Sequence, residues 1–331
     1  MKPWREVIIP HEDVLQGKFS EAEFAADLSK MPRGLAPKEY QDAKMFFDRT
    51  YITQGMKLLI QNVLERLTGK SGSPVIKLQT AFGGGKTHAM MAIWHIVKAE
   101  IPIKDMRGVS EIFDKAKITS LPKGNVAVLD GNAMSPSESQ KRDKLDIKTL
   151  WGELAWQLGG YDGYNLVANA DRDGTSPGKE KLEELFNKFS PAVILLDEMV
   201  SYVRQFKQDR NYAGGTYASV MSFFQALTEA VSNTPKTVVL GSLPESDMEV
   251  GGEDGKKALS ELERIYGRKE AIWKAAEASE GFHIVRRRLF GDVKDEAAYI
   301  ETCKAFQDMY AGHKEYPSET KESAYLECLK M

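Results

Sequence analysis

The 331-residue sequence has only two cysteines, no long apolar run and little excess of charge of either sign. Cys303 and Cys328 match no metal-binding spacing and are too few for a disulfide framework, so they fit a reducing compartment. No apolar run approaches the roughly 20 residues that span a membrane. The net charge of −3 provides no overall basic field that would attract nucleic acid. These absences predict a cytoplasmic globular protein without a membrane partner.

Apolar, strand-like runs alternate with helix-like segments along most of the chain. The predicted strands cover residues 75–79, 125–130, 192–198, 237–242 and 271–273. Continuous apolar strands that alternate with helices are typical of a parallel sheet covered on both faces. We therefore predict an α/β fold with a three-layer core around a parallel five-stranded sheet. Thr53 is predicted to cap a helix over 54–67, whose apolar residues keep the helical period.

The predicted domain organisation has three parts. Residues 1–45 form an N-terminal extension, residues 46–275 form the core, and residues 276–331 have a wholly helical pattern that predicts a small lid. Segments rich in glycine and polar residues over 159–178 and 249–257 are predicted to be loops. The last predicted helix runs to the final residue without a cap signal, so we expect the chain to be the front of a longer protein.

The segment from Val75 to His88 carries the strongest functional signal, because a buried strand leads into a glycine-rich turn and a Lys-Thr pair that opens a helix. Glycines allow backbone N–H groups to surround phosphate oxygens, and the helix directs its positive end at the same point. Lys86 is expected to reach the β- and γ-phosphates, and the Thr87 hydroxyl to bind Mg²⁺. The predicted nucleotide contacts are Thr80, Ala81, Phe82, Gly83, Gly84, Gly85, Lys86, Thr87 and His88.

The motif departs from its usual pattern at one position. Thr80 stands six residues before Lys86, where the full pattern has glycine. A glycine-rich turn in an ordinary α/β protein is therefore the alternative interpretation, and a structural role is the alternative for His88.

The third predicted strand ends in an acidic pair, Asp197-Glu198. A phosphate-binding loop works together with such acidic residues at the end of a neighbouring strand. Asp197 is expected to hold the Mg²⁺ shell, and Glu198 to act as general base on the attacking water. Ser242 ends the next strand and is a candidate for orienting that water. The alternatives are an acidic turn and an ordinary strand-end serine. Asp130 is interpreted as a turn residue in preference to a site residue.

Arginines after the fourth strand could stabilise the charge that phosphoryl transfer spreads over the γ-phosphate. Arg268 is the candidate for acting on a neighbouring subunit, which would require a homo-oligomer. Arg288, in the run from Arg286 to Arg288, is the candidate for contacting nucleotide in its own subunit. A solvated basic face is the alternative for both.

The sequence also resembles a known family. The segment from Gln79 to His88, the opening from Pro3 to Val14, and the segments at 49–53 and 286–290 are similar to those of large prokaryotic P-loop ATPases. That family is catalogued as a domain of unknown function and is sometimes described as Swi2/Snf2-type. The resemblance covers essentially the whole chain, and threonine at position 80 is usual in the family. It implies an AAA+-like core, preference for ATP, and gene neighbours that include DNA methyltransferases in defence-type clusters.

Together these features predict a module that binds and hydrolyses Mg-ATP and couples hydrolysis to conformational work on a partner. Proteins of the same gene cluster are the expected partners. The sequence does not decide whether DNA is also bound, because its basic segments carry no interleaved aromatic residues for stacking on bases. The alternatives are a superfamily-two translocase and a nucleotide-binding scaffold without turnover. The translocase class requires Asp-Glu-Ala-His-like residues and a second RecA-like domain, whereas the sequence has Asp197-Glu198-Met199-Val200 and no second phosphate-loop-like sheet. Glu198 argues against the scaffold, because pure binding needs no base.

Overall fold

The computed structural model describes residues 2–17, 26–80, 85–120, 123–207, 210–245, 250–267, 270–273, 276 and 280–312. The described helices are α1 (Trp4–Val7), α2 (Glu12–Leu15), α3 (Lys38–Gln41), α4 (Ala43–Arg49), α5 (Gln54–Leu67), α6 (Lys86–Lys98), α7 (Ser110–Ala116), α8 (Leu150–Asp173), α9 (Gly178–Phe189), α10 (Met199–Val203), α11 (Tyr217–Asn233), α12 (Gly252–Tyr266), α13 (Gly281–Leu289) and α14 (Glu296–Gly312). The described strands are β1 (Ile8–Pro10), β2 (Val75–Thr80), β3 (Asn125–Asp130), β4 (Gln140–Arg142), β5 (Leu145–Ile147), β6 (Ala192–Asp197), β7 (Thr237–Pro244), β8 (Glu270–Trp273) and β9 (Phe290–Val293).

The chain divides into two compact units. The larger unit draws on residues 26–46 and 52–276, and the smaller unit on residues 1–25, 47–51 and 277–331. The predicted domain boundaries after residues 45 and 275 stay a prediction. Among the described residues, the helices are too short or too polar for any of them to cross a membrane.

A parallel sheet forms the centre of the larger unit. The strands β3, β6, β7 and β2 lie side by side in that order, and the short β8 pairs in parallel with the outer side of β2. Helices α8, α9, α11 and α12 contribute to a core cluster with alternate residues of the strands, and α6 contacts four strands. The strands are continuous apolar runs because both faces of the sheet are covered. The prediction of an α/β fold with a parallel sheet is confirmed.

Two segments predicted as loops are helical, and these predictions were wrong. Helix α8 continues to Asp173 through a kink at Gly159 and Gly160, and its second half folds back along the first. The buried Asp171 carboxylate holds this hairpin, since it accepts hydrogen bonds from the Thr149 backbone N–H (2.9 Å) and hydroxyl (2.6 Å). Helix α12 begins at Gly252, inside the segment that we expected to be flexible. In both cases tertiary contacts outweigh a low local helix propensity.

Arg66, near the end of α5, anchors the far end of the sheet. Its Nε donates to the Thr237 carbonyl (2.9 Å), and its Nη2 donates to the carbonyls of Val231 (2.7 Å) and Thr234 (2.8 Å). These carbonyls end α11 and begin β7, so one guanidinium joins two helices and a strand. Burial lowers the pKa of Arg66 from its usual value.

Replacing Arg66 with methionine is therefore expected to lower the free energy of unfolding by about 2–4 kcal/mol, because three carbonyls lose a charged donor. Urea unfolding followed by circular dichroism measures this change. Arg172→Met is the matched control, since Arg172 is exposed and its ion pair among the described residues is with the exposed Asp173. We expect the control to change stability by less than about 1 kcal/mol. Equal effects of the two substitutions would contradict the anchoring role.

The smaller unit contains a two-stranded antiparallel sheet. Strand β1 pairs with β9, with Ile8 opposite Val293 and Pro10 opposite Phe290. Arg49 forms a two-pronged ion pair with Asp13, at 2.6 and 3.0 Å. The prediction that the chain is wholly helical beyond residue 276 was wrong, because β9 finds its partner about 280 residues earlier in the chain. The predicted helix near the end of the chain lies outside the described residues.

Candidate functional site

The carboxyl ends of β2, β6 and β7 meet at one edge of the parallel sheet of the larger unit. The register places Thr80 beside Pro244 and Leu196 beside Gly241, so the residues that follow these pairs come together. Helix α6 begins at the same edge, directly after Gly85, whose φ of 78° is left-handed and favours glycine. The carboxyl edge of a parallel sheet is where α/β proteins bind ligands.

Asp197 is the centre of a hydrogen-bonded cluster at this edge. The Thr87 hydroxyl donates to Asp197 Oδ2 at 2.8 Å, and the Ser242 hydroxyl donates to Asp197 Oδ1 at 2.5 Å. Asp197 and Ser242 are each only 2% exposed. The structure therefore joins three residues that lie 45 to 155 positions apart in sequence, all of them identified from the sequence as site candidates.

Glu198 follows in a strained backbone conformation. Its φ of 53° lies in the left-handed region, which costs about 1–2 kcal/mol for a residue other than glycine. Its backbone N–H donates to the Ser242 hydroxyl (3.1 Å), so Ser242 orients both acidic residues. Gly131 packs against this turn so closely that a Cβ there would lie 2.1 Å from the Glu198 carbonyl oxygen. The fold thus holds the half-buried Glu198 at a defined point beside Asp197.

Lys86 directly follows the glycine-rich segment and is the first residue of α6. Its ammonium donates to the carbonyl of Thr80 at 2.7 Å. This hydrogen bond joins the last residue of β2 to the first residue of α6. The side chain is thus directed back towards the carboxyl end of β2. The predicted contacts Ala81, Phe82, Gly83 and Gly84 lie outside the described residues, as does Arg268.

His88 packs against aromatic rings. Its ring centroid lies 4.7 Å from that of Phe46 and 6.2 Å from that of Tyr40. These contacts match the structural role that we considered as the alternative. Arg288 lies on α13 in the smaller unit. Their predicted contacts with nucleotide stay predictions.

Asp130 is a third carboxyl group at this edge, in addition to those of Asp197 and Glu198, and it has the turn role that we predicted. It ends β3 beside Asp197 in the register, is 9% exposed, and accepts hydrogen bonds from the backbone N–H groups of Asn132 (2.8 Å) and Ala133 (3.2 Å). Burial, followed by repulsion from Asp197, raises the pKa of Asp130 from 3.8 to about 6. The sequence did contain a signal for this position, because the Asp130-Gly131 pair ends a predicted strand just as Asp197-Glu198 ends the next core strand.

This shift predicts a pH dependence of stability. Between about pH 4 and 6 the folded protein holds a proton on Asp130 that the unfolded chain releases, so the wild type loses stability as pH rises through this window. The Asp130→Asn variant has no carboxyl group to ionise at this position, so its stability does not fall in this way. In metal-free buffer we expect the variant to be more stable than wild type by about 1–3 kcal/mol above pH 6, and the difference to vanish near pH 4.

Urea unfolding at a series of pH values in EDTA measures the difference. Asp114→Asn, which changes an exposed carboxyl on α7, reports the general effect of removing one negative charge. A stability difference for Asp130→Asn that stays constant from pH 4 to 8 would rule out the assigned burial penalty.

The chain matches the model of a known family. The family model of the DUF499 N-terminal domain matches residues 6–281. This confirms the predicted membership of a domain-of-unknown-function family. No curated protein matches the chain.

Proposed function

For this chain, which belongs to the family of the DUF499 N-terminal domain, we propose a function as a Mg²⁺-dependent ATPase module. The observation that carries the proposal is the hydrogen-bonded cluster of Thr87, Asp197 and Ser242 at the carboxyl edge of the sheet. A hydroxyl from the glycine-rich segment, a buried carboxylate and an adjacent second acid are the parts that phosphoryl transfer requires. An ordinary glycine-rich turn requires none of these contacts.

The donor set suits Mg²⁺. Hydroxyl and carboxylate oxygens are hard ligands, and Mg²⁺ in phosphate sites needs only one or two of them because phosphates and waters supply the rest. Among the described residues, no group of three or more histidine, cysteine or acidic side chains is placed to hold a metal ion by itself, which disfavours an all-protein metal cage. Bound there, Mg²⁺ would neutralise phosphate charge. Thr87 and Asp197 are the residues that would hold it.

The other residues act on charge and protons. Lys86 exchanges its hydrogen bond to the Thr80 carbonyl for phosphate oxygens, and the amino end of α6 favours the same negative charge. Glu198 accepts a proton from the attacking water, with its position fixed by the strained turn. Ser242 is a positioning residue, because its hydroxyl is engaged by both Asp197 and the Glu198 backbone.

The wider role follows the family resemblance. We propose an AAA+-like P-loop core, in which hydrolysis of ATP drives conformational work on partner proteins from the same gene cluster or on DNA. Adenine is the expected base. A scaffold that binds nucleotide without turnover is the competing role and would retain tight binding with no hydrolysis.

Lys86→Ala tests nucleotide binding directly. We expect the affinity for Mg-ATP, measured by isothermal titration calorimetry, to fall at least about tenfold, since a charged hydrogen bond to phosphate contributes about 1.5–3 kcal/mol. Lys104→Ala removes an equal charge from an exposed position and should leave the affinity unchanged. Undiminished affinity of Lys86→Ala would overturn the proposal.

A further inference from the structure

A cavity of about 550 Å³ lies at the outer edge of the sheet, beside β3. The side chains of Val126 and Val128 form part of its wall, and residues of α6, α8 and the Leu28–Arg33 turn enclose it. Among the described residues, none of Lys86, Thr87, Asp197 and Ser242 lines it. The cavity is therefore separate from the proposed phosphate site, and its volume suits a small organic ligand.

The cavity carries a small excess of positive charge, because three basic residues and the two acidic residues Asp130 and Glu153 line it. Arg33 and Lys98 line it, and neither has a carboxylate within ion-pair distance in the part of the chain that the structure describes. A third basic residue, Arg142, is neutralised by Glu153, to which it donates at 2.6 Å. The two remaining cations are available for a ligand that carries negative charge.

Two indoles also line the cavity. Trp156 is half-buried and packs edge-on against Tyr161, with ring centroids 5.0 Å apart. Trp94 is 4% exposed, lies 5.8 Å from the Lys98 ammonium, and has a buried Nε1–H with no acceptor among the described residues. The half-buried Trp156 is therefore the indole with surface left for a planar ligand.

We propose that this cavity binds a nucleotide monophosphate group, with the base on the Trp156 indole and the phosphate at Arg33 and Lys98. Planar bases stack on tryptophan, and the half-buried Trp156 keeps ring surface for this contact. The two cations pair with the phosphate. A simple anion would leave the Trp156 indole unused, and an uncharged aromatic would leave the cations unused.

The same chemistry occurs in a free nucleotide and in the 5′-terminal nucleotide of a single strand. Asp130 lines the cavity and is also the register neighbour of Asp197, so an occupant would lie next to the proposed metal site. The proposal does not depend on ATP hydrolysis, because none of its contacts belongs to the phosphate-binding segment.

The test uses the full chain with Lys86→Ala, so that binding at the glycine-rich segment is weakened and tested separately. The probes for calorimetry are AMP, a 5′-phosphorylated tetrathymidylate and inorganic phosphate. We expect AMP or the oligonucleotide to bind at least tenfold more tightly than phosphate. Adding Arg33→Ala with Lys98→Ala should then weaken binding at least tenfold. Adding Lys104→Ala with Lys115→Ala, the same charge change at exposed positions, should leave binding unchanged.

Stacking is tested at Trp156, because folding tolerates changes at a half-buried position better than at Trp94. Trp156→Leu should weaken binding, and Trp156→Phe should restore most of it. Tight AMP binding identifies a free nucleotide, whereas binding of the oligonucleotide alone identifies a strand end. The proposal is overturned if neither probe binds more tightly than phosphate, or if the Arg33 and Lys98 substitutions have no effect.

Discussion

Glu198→Gln is expected to lower ATP turnover by about 10²–10⁴-fold while the affinity for Mg-ATP stays within a few-fold of wild type. Glutamine has the same shape but cannot accept the proton of the attacking water. The substitution keeps the backbone bond from residue 198 to the Ser242 hydroxyl, so the turn and the position of Asp197 are preserved. Release of phosphate under saturating Mg-ATP measures turnover, and calorimetry measures affinity.

Glu111→Gln is the matched control, because Glu111 is exposed on α7 and should leave turnover unchanged. Full turnover by Glu198→Gln would show that this residue is not the general base. Tight binding of Mg-ATP with no turnover, in both the wild type and Glu198→Gln, would favour the scaffold role. The measurements are repeated with DNA and with partner proteins, since an isolated ATPase module can be silent without its partner.

Asp197→Asn is expected to abolish the Mg²⁺ dependence of ATP binding and to lower turnover by roughly 10²–10³-fold, the usual cost of removing one preorganised electrostatic group. Asparagine can still form hydrogen bonds with the Thr87 and Ser242 hydroxyls, so the change removes charge more than structure. Affinity for ATP is measured by calorimetry in Mg²⁺ and again in EDTA.

The two conditions should give opposite results. In Mg²⁺ the variant should bind ATP more weakly than wild type, because a metal ligand has lost its charge. In EDTA it should bind at least as tightly, because a carboxylate that repels the triphosphate is gone. Asp130→Asn removes a neighbouring carboxyl that contacts neither hydroxyl, so it should retain a Mg²⁺ dependence. Weaker binding of Asp197→Asn in both conditions would indicate structural damage in place of a lost metal ligand.

Local sequence pattern was sufficient where one element carries its own signals. Helix α5 begins after Thr53, whose hydroxyl accepts a hydrogen bond from the Met56 N–H (3.1 Å), and it ends at Leu67 as predicted. Strand β3 covers the predicted residues 125–130, and the other core strands begin at the predicted positions or one residue earlier. Caps and continuous apolar runs depend on near neighbours, and so the sequence displays them directly.

Pattern failed where distant residues decide the structure. The polar residues of α8 beyond Gly160 have the composition of a loop. They form a helix in the structure, where the buried Asp171 carboxylate accepts hydrogen bonds from Thr149. Strand β9 is too short to be distinguished from its helical neighbours without β1 beside it. Asp130 is the turn residue that we predicted, but its burial and its neighbour Asp197 depend on a separate strand, which the local pattern does not show.

At the candidate site, residue order alone was enough to identify the chemical groups, which are a glycine-rich segment, Lys86-Thr87 and an acid pair. Each of these is contiguous, and its chemistry depends on residue type. Tertiary structure alone decided how they meet. Hydrogen bonds between strands set which side chains share an edge, so Ser242 came to hold both Asp197 and the Glu198 backbone. The β3 cavity likewise joins Arg33, Lys98 and two tryptophans from separate elements, since packing has no counterpart in sequence order.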